Sequence, residues 1–293
     1  MKKLTLQQFR ESYPNDDACL DKLFQLRFGN IKICPICNKE TTFKRVKDRR
    51  SYQCVKCGKY QIYPTKGTIF EKTTIPLTFW FHAMYLQTTT RNGVSAKELE
   101  RTFDICYKTA LRMAHQIKIL FGSKGATQLS NITEADETYI GGLEKNKHKK
   151  DRLEGTGSIN KVGVFAMLER DGKIITKTVG HSPNGEVLKP IIRKHIDKEA
   201  TLITDGHGAY KDLDKEFKQH EIINHNRGEY GRGMYHTNTI EGFFSQLKRT
   251  IKGTHIHVSK KHLQKYVDEV AFRYMNKDRQ DVMFDIALNK VVQ

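Results

Sequence analysis

No part of this chain approaches the roughly 18 consecutive apolar residues of a membrane-spanning helix, so bilayer insertion is not expected. The opening segment, MKKLTLQQFRESYPNDD, lacks the apolar centre of an export signal, which predicts a cytoplasmic protein rather than a Sec substrate. Glycine-rich phosphate loops are also missing. The GHG after Asp205 and the GTG at 155–157 depart from nucleotide-binding patterns, which argues against ATP use. Acidic residues are scarce: 33 Asp and Glu face 51 Lys and Arg, leaving a formal charge of +18. Such a field selects a polyanionic partner, and nucleic acid is the commonest one. Cysteine is scarce too, but four of the six residues fall in two close pairs.

Those pairs are Cys34-Pro-Ile-Cys37 and Cys54-Val-Lys-Cys57, with 16 residues between them. Four thiolates at this spacing suit one tetrahedral Zn2+, because each tight knuckle presents two sulfurs to the same ion. Disulfides are disfavoured, since nothing suggests secretion and cytosolic thiols stay reduced. TTFKRVKDRRSYQ between the pairs reads as a short hairpin turning near Asp48, which makes the whole a zinc ribbon. Four cysteines leave no open position, so this zinc is structural. Lys44, Arg45, Lys47, Arg49 and Arg50 crowd the hairpin, either as phosphate contacts or as a solvated face. Cys19 and Cys106 stand alone and are expected in the core.

Between Pro76 and Gly122 the pattern is helical. PLTFWFHAMYLQ is apolar and aromatic, Asn92-Gly93 is a break, and Ser95 with Glu98 three residues on fits a capping box. A further helix over Tyr107–Phe121 carries Lys108, Arg112, His115 and Lys118. Helix, turn and basic helix resemble a helix-turn-helix, which makes Lys108 and Arg112 candidate DNA contacts, although any small helical bundle has this periodicity. The expected organisation is an N-terminal region with the zinc ribbon (1–75), a helix-turn-helix-like segment (76–125) and a mixed catalytic domain (130–280). This is an α+β chain.

The second half holds the acids. NITEADETYI reads as a strand, KVGVFAMLERDGKIITKTVG as a hairpin turning at Asp171-Gly172, and ATLITD and HEIINH as two more strands. Thr239–Lys252 has helical spacing, with Ile240, Phe243, Phe244, Leu247 and Ile251 as its apolar stripe. This order is compatible with an RNase H-like core. Asp136 on the first strand and Asp205 at the end of the fourth converge at one sheet edge, and a helix across that edge offers Asn238 or Glu241. Neighbouring strand residues face opposite sides, so Asp136 and Glu137 do not share a site, and alternation alone does not choose between them. Glu241 is anionic and the better metal ligand, whereas Asn238 offers a neutral carbonyl. Carboxylates gathered in a strongly basic protein point to Mg2+ or Mn2+ held against phosphate, hence to DNA strand chemistry. Lys248, two helical turns beyond Glu241, and Arg249 beside it are placed to touch phosphate. The polar stretch 144–157 reads as a loop, either near substrate or merely solvated. HIHVSKKHLQKYVDEVAFRYMNK reads as a helix capped at Ser259, with His255 and His257 alternating as on a strand before it.

CPIC with CVKC, YKTALRMAHQIK, ADETYIGGLEKNKHKK and HTNTIEGFFSQLKRTIKGTHIHVSKKHLQKYVDEVAFRYMNK together resemble the ISXO2-like branch of the IS1595 transposase family, over about Cys34 to Asn276. The resemblance implies a bacterial insertion-sequence transposase with an RNase H-like core that depends on Mg2+ or Mn2+. It would bind double-stranded DNA at terminal inverted repeats, cleave the element ends and join them to a target. It matches Asp136 and Asp205 to the first two catalytic acids, which selects Asp136 over Glu137. The third position, Asn or Glu in the family, is shared here between Asn238 and Glu241, and Lys248 matches the basic residue of that helix. A dimer or larger assembly is expected on DNA, with the protein on the nucleoid. The alternatives are a domesticated DNA-binding regulator, or a nuclease of the same fold without joining activity.

Overall fold

The computed structural model describes residues 4–122, 128–142, 146–152, 159–225, 228–229 and 231–292. Of the polar stretch 144–157, residues 146–152 are described, while the rest, including the GTG, lies outside the described residues. The chain divides into two units: Met1–Leu120 with Arg279–Gln293, and Phe121–Asp278.

In the first unit, helices α1 (Leu6–Ser12) and α2 (Asp16–Phe28) precede strands β1 (Phe43–Arg45), β2 (Tyr52–Cys54) and β3 (Gln61–Ile62). β1 and β2 pair antiparallel around a turn in which Asp48 takes a positive φ of 57°, and β3 adds an edge strand that sequence reasoning missed. Two hairpin arginines are not free for phosphate. Arg45 donates to Asp17 at 3.0 Å, and Arg50 to Asp16 at 3.1 Å and to the Thr73 and Ile75 carbonyls. Their charge ties the ribbon to the acidic first turn of α2, a placement the helix dipole also favours. Lys44, Lys47 and Arg49 remain exposed.

Helices α3 (Leu77–Thr89), α4 (Ala96–Phe103) and α5 (Tyr107–Phe121) follow, and α9 (Met283–Val291) returns from the far end of the chain. Ser95 caps α4 by accepting from the Glu98 N–H at 3.1 Å. The turn before α4 is held by buried Gln87, whose amide bonds both the N–H and the carbonyl of Val94. α9 was not expected from sequence. Its Phe284 packs against the rings of Phe9, Tyr13, Phe81 and Tyr85, and each such buried aromatic contributes about 1.5–3 kcal/mol. Two expectations need correction. Lys118 is buried, because the face of α5 that bears it also carries Ala114, Ile117 and Phe121 in the core. Cys106 is exposed just ahead of α5, with its thiol 3.1 Å from the Thr109 hydroxyl.

The second unit is a five-stranded mixed sheet of β4 (Thr133–Ile140), β5 (Val162–Glu169), β6 (Ile174–Val179), β7 (Thr201–Asp205) and β8 (Gln219–Ile223), in the order β6-β5-β4-β7-β8. β6, β5 and β4 run antiparallel, and β7 and β8 run parallel to β4. Asp171 turns the β5–β6 hairpin with φ 55°, as the Asp-Gly pair predicts. β5 is apolar almost throughout because it is buried on both faces. Phe165 and Met167 pack with Leu188 and Ile192 of α6 (Gly185–His195) on one side. Val164, Ala166 and Leu168 pack on the other with α7 (Asn238–Thr250) and α8 (Leu263–Met275). The α7 stripe of Ile240, Phe243, Phe244, Leu247 and Ile251 is buried as its spacing predicts.

Past α7 the expectations diverge from the structure. Residues Ile251–His255 form a wide π turn rather than a strand, and Ile256 follows with φ 61°. Ser259 makes no side-chain cap, since a 3-10 turn over Lys260–His262 intervenes before α8. His255 is packed edge-on against Tyr266, 4.0 Å from Glu269, which leaves it a core histidine. Leu263, Tyr266, Val267 and Val270 are core residues as expected, and Tyr274 is half-buried against the same cluster.

Candidate active site

In the first unit the two C-x2-C knuckles are built alike. Asn38 and Gly58, each following a second cysteine, take left-handed conformations and return their N–H groups to the carbonyls of Cys34 and Cys54 at 2.8 and 3.0 Å. Each turn thereby folds two thiols to the same side. The ligand atoms of Cys34, Cys37, Cys54 and Cys57 lie within 4.8 Å of one another, and Cys34 and Cys54 are buried. The donor chemistry and closure fit structural zinc.

In the second unit the acids are assembled by strand register. Thr133, Glu134 and Ala135 of β4 pair with Leu202, Ile203 and Thr204 of β7. One step further sets Asp136 beside Asp205 on parallel strands, neighbouring strands being about 4.8 Å apart. Asp136 pairs on its other side with Ala166, whose side chain lies among the α7 residues, so Asp136 faces that helix. Glu137 pairs with Phe165 and points to the opposite face, where Tyr210 donates to it and His207 Nδ1 lies 3.5 Å away.

The electrostatics mark Asp136 as the centre of this cluster. Burial and the neighbouring carboxylates, Asp205 foremost and then Glu137 and Glu241, push its pKa up to about 8. The Glu137 N–H donates to its Oδ1 at 2.7 Å and offsets only part of this. Crowded carboxylates that hold a proton at neutral pH form a site a divalent cation relieves, so these residues fit an oxygen-ligated metal. Glu137 is raised chiefly by burial, against the opposing effects of Tyr210 and His207.

α7 brings the third group. Glu241 Oε1 accepts from the Thr237 hydroxyl at 3.0 Å and lies 3.6 Å from His225 Nε2. Asn238, at the start of the helix, is exposed. A cleft of about 220 Å³ opens beside Asp205, lined by Gly206, His207, Gly208, Asn224 and His225, and the His207 N–H donates to Asp205 at 2.9 Å. Lys248 and Arg249 are exposed in the last turn of α7. In the first unit, Lys108 and Arg112 lie one turn apart on the exposed side of α5. Among the described residues, no three acidic or histidine groups of this centre come within 4.8 Å of one another, in contrast to the cysteines. Sequence reasoning missed Glu134, His207, Tyr210, Arg170 and His225. Only Glu134 carried a signal, its two-residue spacing from Asp136.

Comparison with known proteins gives two matched domains. Residues 128–275 match the ISXO2-like transposase domain, and residues 14–60 match a transposase zinc-ribbon domain. An uncharacterized protein in transposable element ISH50 of Halobacterium salinarum is 26% identical over 270 residues, covering 88% of this chain and 90% of that one. A glutamate racemase of Lactococcus lactis subsp. cremoris is 25% identical over 183 residues, 62% of this chain and 60% of that one. No helix among the described residues is long and apolar enough to cross a membrane. The first domain spans half the chain and contains the Asp136–Asp205 pair together with α7, and the second contains the four cysteines; the protein belongs to the IS1595 family of ISXO2-like transposases.

Proposed function

We propose that this chain binds the terminal inverted repeats of an insertion sequence, cleaves DNA strands at its ends and joins the 3′ ends to a target. The observation that carries this reading is the register that sets Asp136 beside Asp205 on the sheet face covered by α7. In this reading Asp136, Asp205 and Glu241 hold Mg2+ or Mn2+, and Asn238 adds a neutral oxygen at the same helix start. Glu241 is favoured as the third acid because its charge is among those raising the Asp136 pKa, and because Thr237 steadies its carboxylate. When bound, the metal supplies Lewis acidity to the attacking oxygen and charge neutralisation to the leaving one.

The remaining residues bind and orient DNA. Lys248 and Arg249 meet phosphate beside the acids, and Lys108 and Arg112 meet it from α5, where each contact fixes register without reading sequence. The separate zinc-ribbon and helical regions are assigned to recognition of the element ends. Two ends must be brought together, so the working form on DNA is at least a dimer, in the cytoplasm and on the nucleoid.

The test uses purified protein, Mn2+ and duplexes carrying the element's own termini. The parent is expected to nick 3′ ends, while Asp136→Ala and Asp205→Ala abolish nicking and keep duplex affinity within about twofold, since the bulk of the basic surface is unchanged. Loss of binding in both folded variants would sink this division of labour. Binding without cleavage by the parent would favour the DNA-binding regulator.

A further inference from the structure

Glu134 lies two residues before Asp136 on the same strand and the same sheet face, and it is wholly buried. A carboxylate in such a place is sustained only by partners for its oxygens. Oε2 accepts from the backbone N–H of Ile240, 2.9 Å away in the first turn of α7. Oε1 accepts from Arg170 Nε at 2.7 Å and lies 3.6 Å from His236 Nδ1. Arg170, in the β5–β6 turn, also donates to the carbonyls of Met234 at 2.6 Å and His236 at 3.1 Å, on the segment that leads into α7.

A helix leaves its first N–H groups without intrahelical partners, and a side chain at the N-cap ordinarily satisfies one of them. In α7 the N-cap residue, Thr237, makes no such bond; its hydroxyl donates to Glu241 instead. The cap comes from the sheet. The anion also faces the positive end of the helix dipole. Each end of this link adjoins a candidate metal ligand, since Glu134 precedes Asp136 by two residues and Ile240 precedes Glu241 by one.

We propose that Glu134 and Arg170 are positioning residues that fix the start of α7 on β4 and thereby set the separation of Asp136 and Glu241. This deepens the reading of those acids as metal ligands and rests on it. A buried ion pair is a weak source of stability, and its best-attested use is to enforce one arrangement of the elements it joins. An apolar pair at these positions would fill the space without defining where along β4 the helix begins.

The experiment compares the full-length, zinc-loaded parent with Glu134→Gln, Arg170→Lys and Asp136→Ala. Glu134→Gln leaves one acceptor oxygen for two donors, so its amide N–H must face either the Arg170 guanidinium or the Ile240 N–H. Arg170→Lys keeps the charge but loses the fork that grips two carbonyls. Mn2+ affinity is read from the electron paramagnetic resonance of free Mn2+, alongside the thermal midpoint and the Mn2+ concentration for half-maximal nicking. Both positioning variants are expected to bind Mn2+ about tenfold or more weakly, to need correspondingly more Mn2+ for nicking, and to keep parental duplex affinity. A lowered thermal midpoint with parental Mn2+ affinity would overturn the proposal, because a purely structural role has that signature. If Glu134→Gln fails to fold, Arg170→Lys decides, its side chain being partly exposed. Parental Mn2+ affinity in Asp136→Ala would instead refute the metal-ligand reading itself, an outcome distinct from failure of the Glu134 variant alone.

Discussion

The cysteine cluster and the acidic cluster of this chain are built on opposite plans. The cysteine site is local: its four ligands come from two similar turns within 24 residues of sequence, and their sulfurs are already gathered within 4.8 Å. The acidic site is long-range. Asp136, Asp205 and Glu241 come from three elements spread over more than 100 residues, and among the described residues they are not gathered in that way. A closed ring of four thiolates saturates its ion and couples it to folding. Separated carboxylates of like charge leave room for phosphate oxygens, and burial together with their mutual repulsion raises the pKa of Asp136. One plan suits holding a shape, the other suits reacting.

Metal loss should therefore have unequal consequences, and the largest effect belongs to zinc. Removing it with a strong chelator forfeits binding worth about 10–16 kcal/mol in comparable small zinc domains, and replacing Cys54 with Ser forfeits part of it. Amides of β1 and β2 should then lose protection in hydrogen exchange while those of β4 and β5 keep theirs. Loss of protection in β5 would break the comparison. A smaller effect separates the two candidates on α7. Glu241→Ala should slow nicking on the order of a hundredfold, and Asn238→Ala by no more than about tenfold, because only the former removes a charged ligand. The reverse ranking would move the third metal ligand to Asn238.

How much of this was legible in the sequence follows the same division. The cysteine spacing, the Asp171-Gly172 hairpin and the buried stripe of α7 are short-range patterns, and the structure contains each of them. Alternation separated Asp136 from Glu137, and the register sends them to opposite faces. What escaped depends on partners distant in sequence. Glu134 acquires its role from the N–H of Ile240, 106 positions away, and Arg170 acquires its role from the carbonyls of Met234 and His236, 64 and 66 positions away. The two hairpin arginines read as phosphate contacts or a solvated face because α2 and its acidic first turn were not anticipated. Lys118 went inside because the apolar face of α5 is wide enough to include it. α9 follows the last expected element and packs with the first unit, a return across the chain that no local periodicity announces.

The smallest expected effect, a pH dependence, probes the electrostatic half of the comparison most directly. In the metal-free protein Asp136 is held up to about 8, well above an ordinary carboxylate, so at neutral pH it is mostly protonated. An acid raised on folding contributes stability that is complete below its unfolded pKa of about 4 and is lost as pH climbs through about 8. Bound Mn2+ requires the ionised form and must displace that proton. Apparent Mn2+ affinity should therefore fall by up to about tenfold for each pH unit below 8 and level off above it. Titrations followed by electron paramagnetic resonance at about pH 6, 7, 8 and 9 would trace the curve, with Asp136→Asn expected to bind weakly and to flatten it. An affinity independent of pH across this range in the parent would show that burial and the neighbouring carboxylates do not hold a proton on Asp136, and the contrast between a saturated thiolate ring and a crowded carboxylate cluster would fail on its second half.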